Sequence, residues 1–252
     1  MMANKKVVVV MPAYNAGKTL ESTFRDIPAG CADEVLVVDD ASRDDTVVVA
    51  KQLGLRVIKH ASNLGYGGNQ KTCYAVALAR DADIVVMLHP DYQYDPKLLP
   101  KMIQPLIDGQ ADIVLGSRMT DDSAIRLGMP LYKYVSNRFL TAVENWVLGL
   151  KLSEYHTGYR AYTREALEGI PFQLNSNDFV FDQDLIVQAV AMGYRIGEIP
   201  CPARYMPEAS SINFIRSAQY GLETLLLLVK YQVHCWKLFR FAKFSRRAPS
   251  LS

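Results

Sequence analysis

Short β-branched and apolar runs recur along the first half of the chain. They fall at Lys6–Met11, Val35–Val38, Arg56–Lys59, Ile84–Leu88 and Asp112–Leu115. Each is closed by polar or turn-forming residues, so each predicts a short buried strand. Between them the spacing predicts helices over Thr19–Ile27, Val47–Leu53, Lys71–Arg80 and Pro96–Asp108, with Pro12 to Gly17 as a loop. Strands alternating with helices every 20 to 30 residues or so predict βαβ units around a mostly parallel sheet. The second half is less regular. Met129–Leu150 reads as an amphipathic helix, Phe181–Met192 as a helix, and Arg195–Ile199 as a strand ending at Pro200 and Pro202. Ile212–Phe244 is a long element whose apolar patches are broken by Lys230, Lys237 and Arg240.

Composition narrows this picture. The 252 residues fit one large domain or two small ones, and 50% of them are hydrophobic, enough for a sizeable core. A net charge of +2 gives no overall bias toward nucleic acid. The charge is uneven, however: no acidic residue follows Glu223, while Lys230, Lys237, Arg240, Lys243, Arg246 and Arg247 do. Cys31, Cys73, Cys201 and Cys235 form no C-x-x-C pair, which suggests reduced thiols in a cytoplasmic protein rather than a disulfide framework or a zinc site. Val7–Val10 is too short for a signal-peptide core, and no segment approaches the ~20 apolar residues of a membrane span.

Candidate chemistry gathers at strand ends. His89-Pro90-Asp91-Tyr92-Gln93 follows the fourth strand, and ligands of open α/β sheets bind at such carboxyl ends. Asp91 with His89 and Gln93 can hold a divalent cation; alternatively Asp91 belongs to a loop that only shapes the turn at Asp95-Pro96. Asp39-Asp40 closes the second strand, where carboxylates accept from a base N–H or ribose hydroxyls or else cap a helix. Asn63–Asn69 is glycine-rich but matches neither phosphate-loop nor dinucleotide spacing. Its glycines allow close backbone approach to a nucleotide, or simply φ > 0 and close helix packing. The C-terminal stretch suits a helix in a membrane interface, a core helix with a solvated basic face, or a nucleic-acid patch. Tyr231, Trp236, Phe239, Phe241 and Phe244 beside Lys and Arg favour the membrane surface over nucleic acid.

Six segments in order resemble the family 2 glycosyltransferases, and within them the polyprenyl-phosphate (dolichol-phosphate) sugar synthases. They are Val10–Asn15, Val37–Thr46, Asn63–Gly68, Asp91-Tyr92-Gln93, Gly116-Ser117-Arg118 and Thr157–Tyr162. The resemblance implies a GT-A fold: an α/β domain with a mixed, mostly parallel sheet flanked by helices. It would span residues 1–215, with 216–252 as an amphipathic basic C-terminal helix and tail. It implies a nucleotide-diphosphate sugar donor, GDP-mannose or a UDP-sugar, held by Pro12, Ala13, Tyr14, Asn15, Asp39, Asp40, Asn63, Gly68 and Lys71. It also implies Mg²⁺ or Mn²⁺ on the diphosphate at Asp91, Gln93 and His89.

The family motif usually reads Asp-x-Asp-x-Gln. His89 replaces its first Asp, and imidazole suits Mn²⁺ better than Mg²⁺; alternatively His89 contacts the diphosphate as an imidazolium. A polyprenyl-phosphate acceptor is already ionised, so it needs cations more than a base. Arg118 and Ser136 match the family there, and Arg160 matches in its motif. The family's arginine before the serine is Tyr132 here, so Lys133 or Arg138 must substitute. Asp184 matches a late acidic residue by position, with Asp182 as the alternative, and Glu154 stands where the family has Asp. The implied enzyme is inverting, metal-dependent and peripheral on the cytoplasmic membrane face. Its rivals are a transferase with a soluble saccharide or protein acceptor, and a non-catalytic nucleotide-sugar-binding relative.

Overall fold

A computed structural model describes residues 5–120, 123–203 and 214–246. The first half follows the predicted alternation: β1 (Val7–Ala13), α1 (Leu20–Arg25), β2 (Glu34–Asp39), α2 (Thr46–Gln52), β3 (Arg56–Lys59), α3 (Tyr66–Ala79), β4 (Ile84–Met87), α4 (Leu99–Ile107) and β5 (Ile113–Ser117). Then come α5 (Ser123–Arg126), α6 (Leu131–Leu148), β6 (Arg160–Thr163), α7 (Arg164–Gly169), α8 (Phe181–Ala191), β7 (Ile196–Pro200) and α9 (Phe214–Cys235).

The strands form one sheet in the order β3-β2-β1-β4-β6-β5-β7. Only β6 runs against its neighbours, β4 and β5. Alternate side chains of a strand point to opposite faces, and both faces are covered here. Val8, Val10, Leu36, Val38 and Met87 pack with Tyr74 of α3 and Phe181 and Leu185 of α8. Val7, Val9, Met11, Val37 and Val86 pack with Leu99, Met102 and Ile103 of α4. Two-sided burial explains why these strands read as unbroken apolar runs.

Four expectations change. β1 continues through Pro12 and Ala13 instead of ending at Met11. Val10 O faces β4 and accepts from Leu88 N. Pro12 faces the same side beyond the last β1–β4 pair, Val10 with Met87, so its missing N–H breaks no ladder. α3 begins at Tyr66, so Gly67 and Gly68 belong to its first turn rather than to a loop. β6 and α7 were not expected: β6 has four residues, opens on a charged Arg160 and lacks an apolar run. Finally, α9 ends at Cys235, and Lys237 takes φ +60°. The chain then folds back so that Phe244 is buried against Tyr231, His234 and Phe241. Ile212, the expected start of this element, and Arg247 lie outside the described residues.

α9 packs on α6 and α8. Its Leu227 and Leu228 are buried, while Leu222, Leu226 and Val229 are exposed. Leu131, Val135, Phe139 and Trp146 of α6 are exposed too. Among the described residues no helix is long and apolar enough to cross a membrane.

Candidate active site

The strand order reverses direction between β1 and β4, the position where open α/β sheets bind ligands. The loops after β1, β2 and β4 are tied together there. Asn15 N donates to Ser42 Oγ at 2.8 Å, Asn15 Oδ1 accepts from Arg43 N at 2.9 Å, and Thr19 Oγ1 donates to Pro90 O at 2.5 Å. Asn15 is thus a brace between loops, with φ +54°. Tyr14 is exposed beside it and Ala13 is buried.

The two aspartates after β2 differ. Asp39 is fully buried; Oδ2 accepts from Ser42 N at 3.2 Å and Oδ1 has no hydrogen-bond partner. Asp40 is fully engaged instead. It accepts from Leu64 N at 2.8 Å and Gly65 N at 3.1 Å, and its Oδ1 is 2.7 Å from His60 Nδ1. Asp40 therefore fastens the loop before α3 rather than facing a nucleotide. Asn63 serves the same turn, accepting from Gly65 N at 3.0 Å. A Cβ on Gly67 would fall 2.7 Å from Phe181 Cβ, and one on Gly68 would fall 2.8 Å from Leu64 Cβ. These glycines allow close packing. Lys71 is likewise structural: Nζ donates to Asn175 O at 2.6 Å and Asn177 Oδ1 at 2.7 Å.

A cavity of about 260 Å³ opens beyond these loops. Its lining includes an acidic group, His89, Asp91, Gln93, Tyr66 and Asp182, and a basic group, Arg118, Lys133, Ser136, His156 and Tyr220. Small-molecule pockets run from ~300 to ~1,000 Å³, so this space lies just below that range. None of Tyr14, Asn15, Asp39 and Asn63 lines it.

In the acidic group, Tyr66 Oη donates to Asp182 Oδ2 at 2.7 Å and lies 3.2 Å from His89 Nε2. Its ring stacks on His89 with centroids 5.4 Å apart and planes 7° apart. Because the Tyr66 proton goes to Asp182, His89 Nε2 carries a ring proton. Burial lowers the His89 pKa, although Asp91 opposes this, and so disfavours the imidazolium form. Burial raises the Asp91 acid above its ordinary range, with His89 opposing, while Oδ1 accepts from Gln93 N at 3.1 Å. Asp91, His89 and Gln93 carry a carboxylate, an imidazole and an amide, donor types that divalent cations accept, and imidazole suits Mn²⁺ better than Mg²⁺. Among the described residues no group of three or more His, Cys, Asp or Glu side chains is placed to hold a metal ion.

Beside the basic group, Glu154 is fully buried and orients Arg118. It accepts from Arg118 N at 2.7 Å and Nε at 3.0 Å, from the terminal NH2 group, and from Asn137 Nδ2 at 2.7 Å. Burial, then the nearby Arg118 charge, lowers the Lys133 pKa. Two cations held together this way suit an anionic ligand. Helical spacing puts Lys133, Ser136, Asn137 and Leu140 on one face and turns Arg138, which is exposed and does not line the cavity, away.

Two further assignments change. Asp182, not Asp184, lines the cavity. Two residues apart on α8 they point about 200° apart, and Asp184 accepts from Lys243 Nζ at 2.5 Å and Ser176 N at 3.0 Å instead. Arg160 is fully buried and donates to Thr157 O, Asp182 O and Tyr155 O, so it positions the loop and α8 rather than touching substrate. Tyr66, Tyr220, His156 and Glu144 are site-side residues that sequence reasoning passed over. Only Glu144 carried a signal, as an acid on the face of α6 that also buries Asn137, Leu140, Thr141 and Leu148.

A mixed, mostly parallel seven-stranded sheet flanked by helices is the GT-A architecture. Residues 8–170 match the model of Glycosyl transferase family 2; the chain belongs to that family and is a glycosyltransferase. It is 32% identical over 201 residues to the dolichyl-phosphate hexose transferase of Haloferax volcanii, covering 79% of this chain and 82% of the relative. It is 28% identical over 221 residues to the UDP-N-acetylglucosamine–dolichyl-phosphate N-acetylglucosaminyltransferase of Methanococcus voltae, covering 81% and 88%. Its fold is similar to that of glucosyl-3-phosphoglycerate synthase from Mycobacterium tuberculosis, crystallised with Mn²⁺, UDP and phosphoglyceric acid. That likeness has a TM-score of 0.67 at 21% identity, over 90% of this chain and 78% of the other.

Proposed function

We propose that this enzyme moves a sugar from a nucleotide-diphosphate sugar to a polyprenyl phosphate at a membrane surface, by single displacement with inversion. The observation that carries it is the cavity's lining, which combines Asp91, His89 and Asp182 with Arg118 and Lys133. The acidic group takes the donor diphosphate with its cation, held by Asp91, His89 and Gln93. A divalent cation bound there neutralises charge on the departing diphosphate. Asp39 Oδ1 and Tyr14 serve base and ribose outside the cavity. Arg118 and Lys133 bring the acceptor anion against the anomeric carbon, a task of positioning and charge. Polyprenyl-phosphate acceptors in the relatives' names agree with this.

The exposed apolar faces of α6 and α9 supply the membrane contact. Residues 1–215 carry the catalytic unit, and 216–252 attach it while lending Ser217 and Tyr220 to the cavity. A thermal-shift panel of GDP- and UDP-sugars with Mg²⁺ or Mn²⁺ tests the donor half. Ligand at 100 times Kd stabilises by about 2.7 kcal/mol, so one nucleotide sugar should raise Tm, more with Mn²⁺ than Mg²⁺. A panel in which no nucleotide sugar moves Tm would contradict it.

A further inference from the structure

Transfer to a fully ionised phosphate has no use for a proton acceptor, yet one is built beside the cavity. Glu144 is fully buried, and neither carboxylate oxygen has a hydrogen-bond partner. His156 Nε2 lies 3.0 Å from Glu144 Oε2, at ion-pair distance but off the line of a hydrogen bond. The other ring nitrogen, Nδ1, is 2.8 Å from Tyr220 Oη and 2.9 Å from Gln183 Nε2. Gln183 Nε2 also donates to Tyr220 Oη at 2.6 Å and to Tyr155 O at 3.2 Å.

These contacts allow a continuous proton path. With Gln183 Nε2 donating to Tyr220 Oη, the phenol proton can point at His156 Nδ1, 2.8 Å away. The ring proton then sits on Nε2, facing Glu144. Arg118 donates to His156 O at 2.6 Å, so the arginine of the basic group braces the same loop. His156 and Tyr220 both line the cavity with Lys133 and Ser136. A carboxylate buried without a well-aligned hydrogen bond is strongly unfavourable. A carboxylate behind a histidine whose other nitrogen faces a site has a chemical use: it stabilises the imidazolium formed when the ring takes a proton.

We propose that Tyr220, His156 and Glu144 form a proton relay that takes the proton from the attacking oxygen of the acceptor. The acceptor then enters carrying that proton, as a hydroxyl or as a phosphate monoester in its monoanionic form, whose second pKa is about 6. As the oxygen attacks the anomeric carbon, its proton passes to Tyr220 Oη and the Tyr220 proton passes to His156 Nδ1. The new C–O bond forms, the bond from the anomeric carbon to the diphosphate breaks, and that electron pair leaves with the nucleoside diphosphate. Burial, and then the Glu144 charge, holds the Tyr220 phenol far above its ordinary range. It therefore hands on one proton while receiving another and never stands as a phenolate. Tyr220 is the catalytic residue; His156 acts through it, and Glu144 positions and charges His156. The relay rests on the proposed function only in needing sugar transfer.

The test uses the full chain with Mn²⁺ and the nucleotide sugar that raises Tm most. Polyprenyl phosphate and octyl glucoside are offered in separate arms, and a third arm follows hydrolysis with water as acceptor. Glu144→Gln and Tyr220→Phe should each lower kcat about 10²-fold in whichever arm wild type turns over, with donor thermal shift and acceptor KM unchanged. His156→Ala should fall as far and recover in part with added imidazole. The arm that responds names the proton's source, lipid phosphate or hydroxyl. Tyr220→Phe and Glu144→Gln proteins that transfer at the wild-type rate overturn the relay. So does loss of donor binding together with rate, which marks a packing role. If Glu144→Gln does not fold, Tyr220→Phe, one oxygen smaller, decides alone. Wild type that binds donor but neither transfers nor hydrolyses overturns the proposed function and the relay with it, a failure visible without any variant.

Discussion

Asp91 shows how a site residue can weaken the fold that holds it. Burial raises its acid above the ordinary carboxylate range, so the native state binds its proton more tightly than the unfolded state does. The sign follows: this contribution to stability is present at low pH and lost as pH rises through the raised value. At neutral pH the metal-free protein therefore carries a penalty there. Asp91→Asn should raise its Tm by about 2 °C in calorimetry, while abolishing the extra stabilisation that Mn²⁺ gives with nucleotide sugar. An unchanged Mn²⁺ response would remove Asp91 from the metal site. At this scale, the cavity-lining positions of Asp91, Arg118 and Lys133 were legible, because residue type and strand-end or helix-face position suffice. Asp40, Lys71, Arg160 and Asp184 were not. A polar residue near a strand end announces itself in sequence, but the direction of its hydrogen bonds is set by segments far along the chain. Asp40 answers to Leu64 and Gly65, Lys71 to Asn175, and Asp184 to Lys243.

The first turn of α3 and the 176–177 segment act as one unit. Gly67 N donates to Asn177 O at 2.8 Å, and Gly65 holds φ +84° to set up the turn. Gly67→Ala pushes a methyl into Phe181 Cβ and the Ser176–Asn177 backbone. It should cost about 1–3 kcal/mol in denaturant unfolding and weaken nucleotide-sugar affinity, since Tyr66 and His89 shift with the turn. Gly149→Ala is the control. Gly149 ends α6 at φ +70° with no atom within 4 Å of an added Cβ, so about 1 kcal/mol is lost with donor affinity intact. Equal loss of affinity in both would mean that α3 does not seat the site. The elements of the parallel half were legible because two-sided burial writes itself as apolar runs. β6 was not, since its position between β4 and β5 depends on partners far away in sequence.

Across the whole molecule, the exposed apolar residues of α6 and α9 stand beside the cavity that Ser136 and Tyr220 of the same helices line. Trp146 is 83% exposed and Phe139 58%, and Lys230, Lys237 and Arg240 lie on α9 and in the residues just after it. Burying an aromatic side chain in an interface is worth about 1.5–3 kcal/mol. Phe139→Glu with Trp146→Glu should therefore lower binding to anionic vesicles about tenfold or more per residue in sedimentation, with donor thermal shift unchanged. Vesicle binding that survives both changes would place the membrane contact elsewhere. The tail's aromatic and basic pattern pointed to a membrane, but the pairing of α6 with α9 appears only in three dimensions.

The central claim is tested most directly by following a radiolabelled sugar. The nucleotide sugar that stabilises the protein is incubated with Mn²⁺ and polyprenyl phosphate, and the label is partitioned between water and organic solvent. Label should move into the organic phase as a mild-acid-labile glycosyl phospholipid, and Asp91→Ala should stop it. Label that stays in water while the nucleotide sugar demonstrably binds, or that moves equally well with Asp91→Ala, would contradict it.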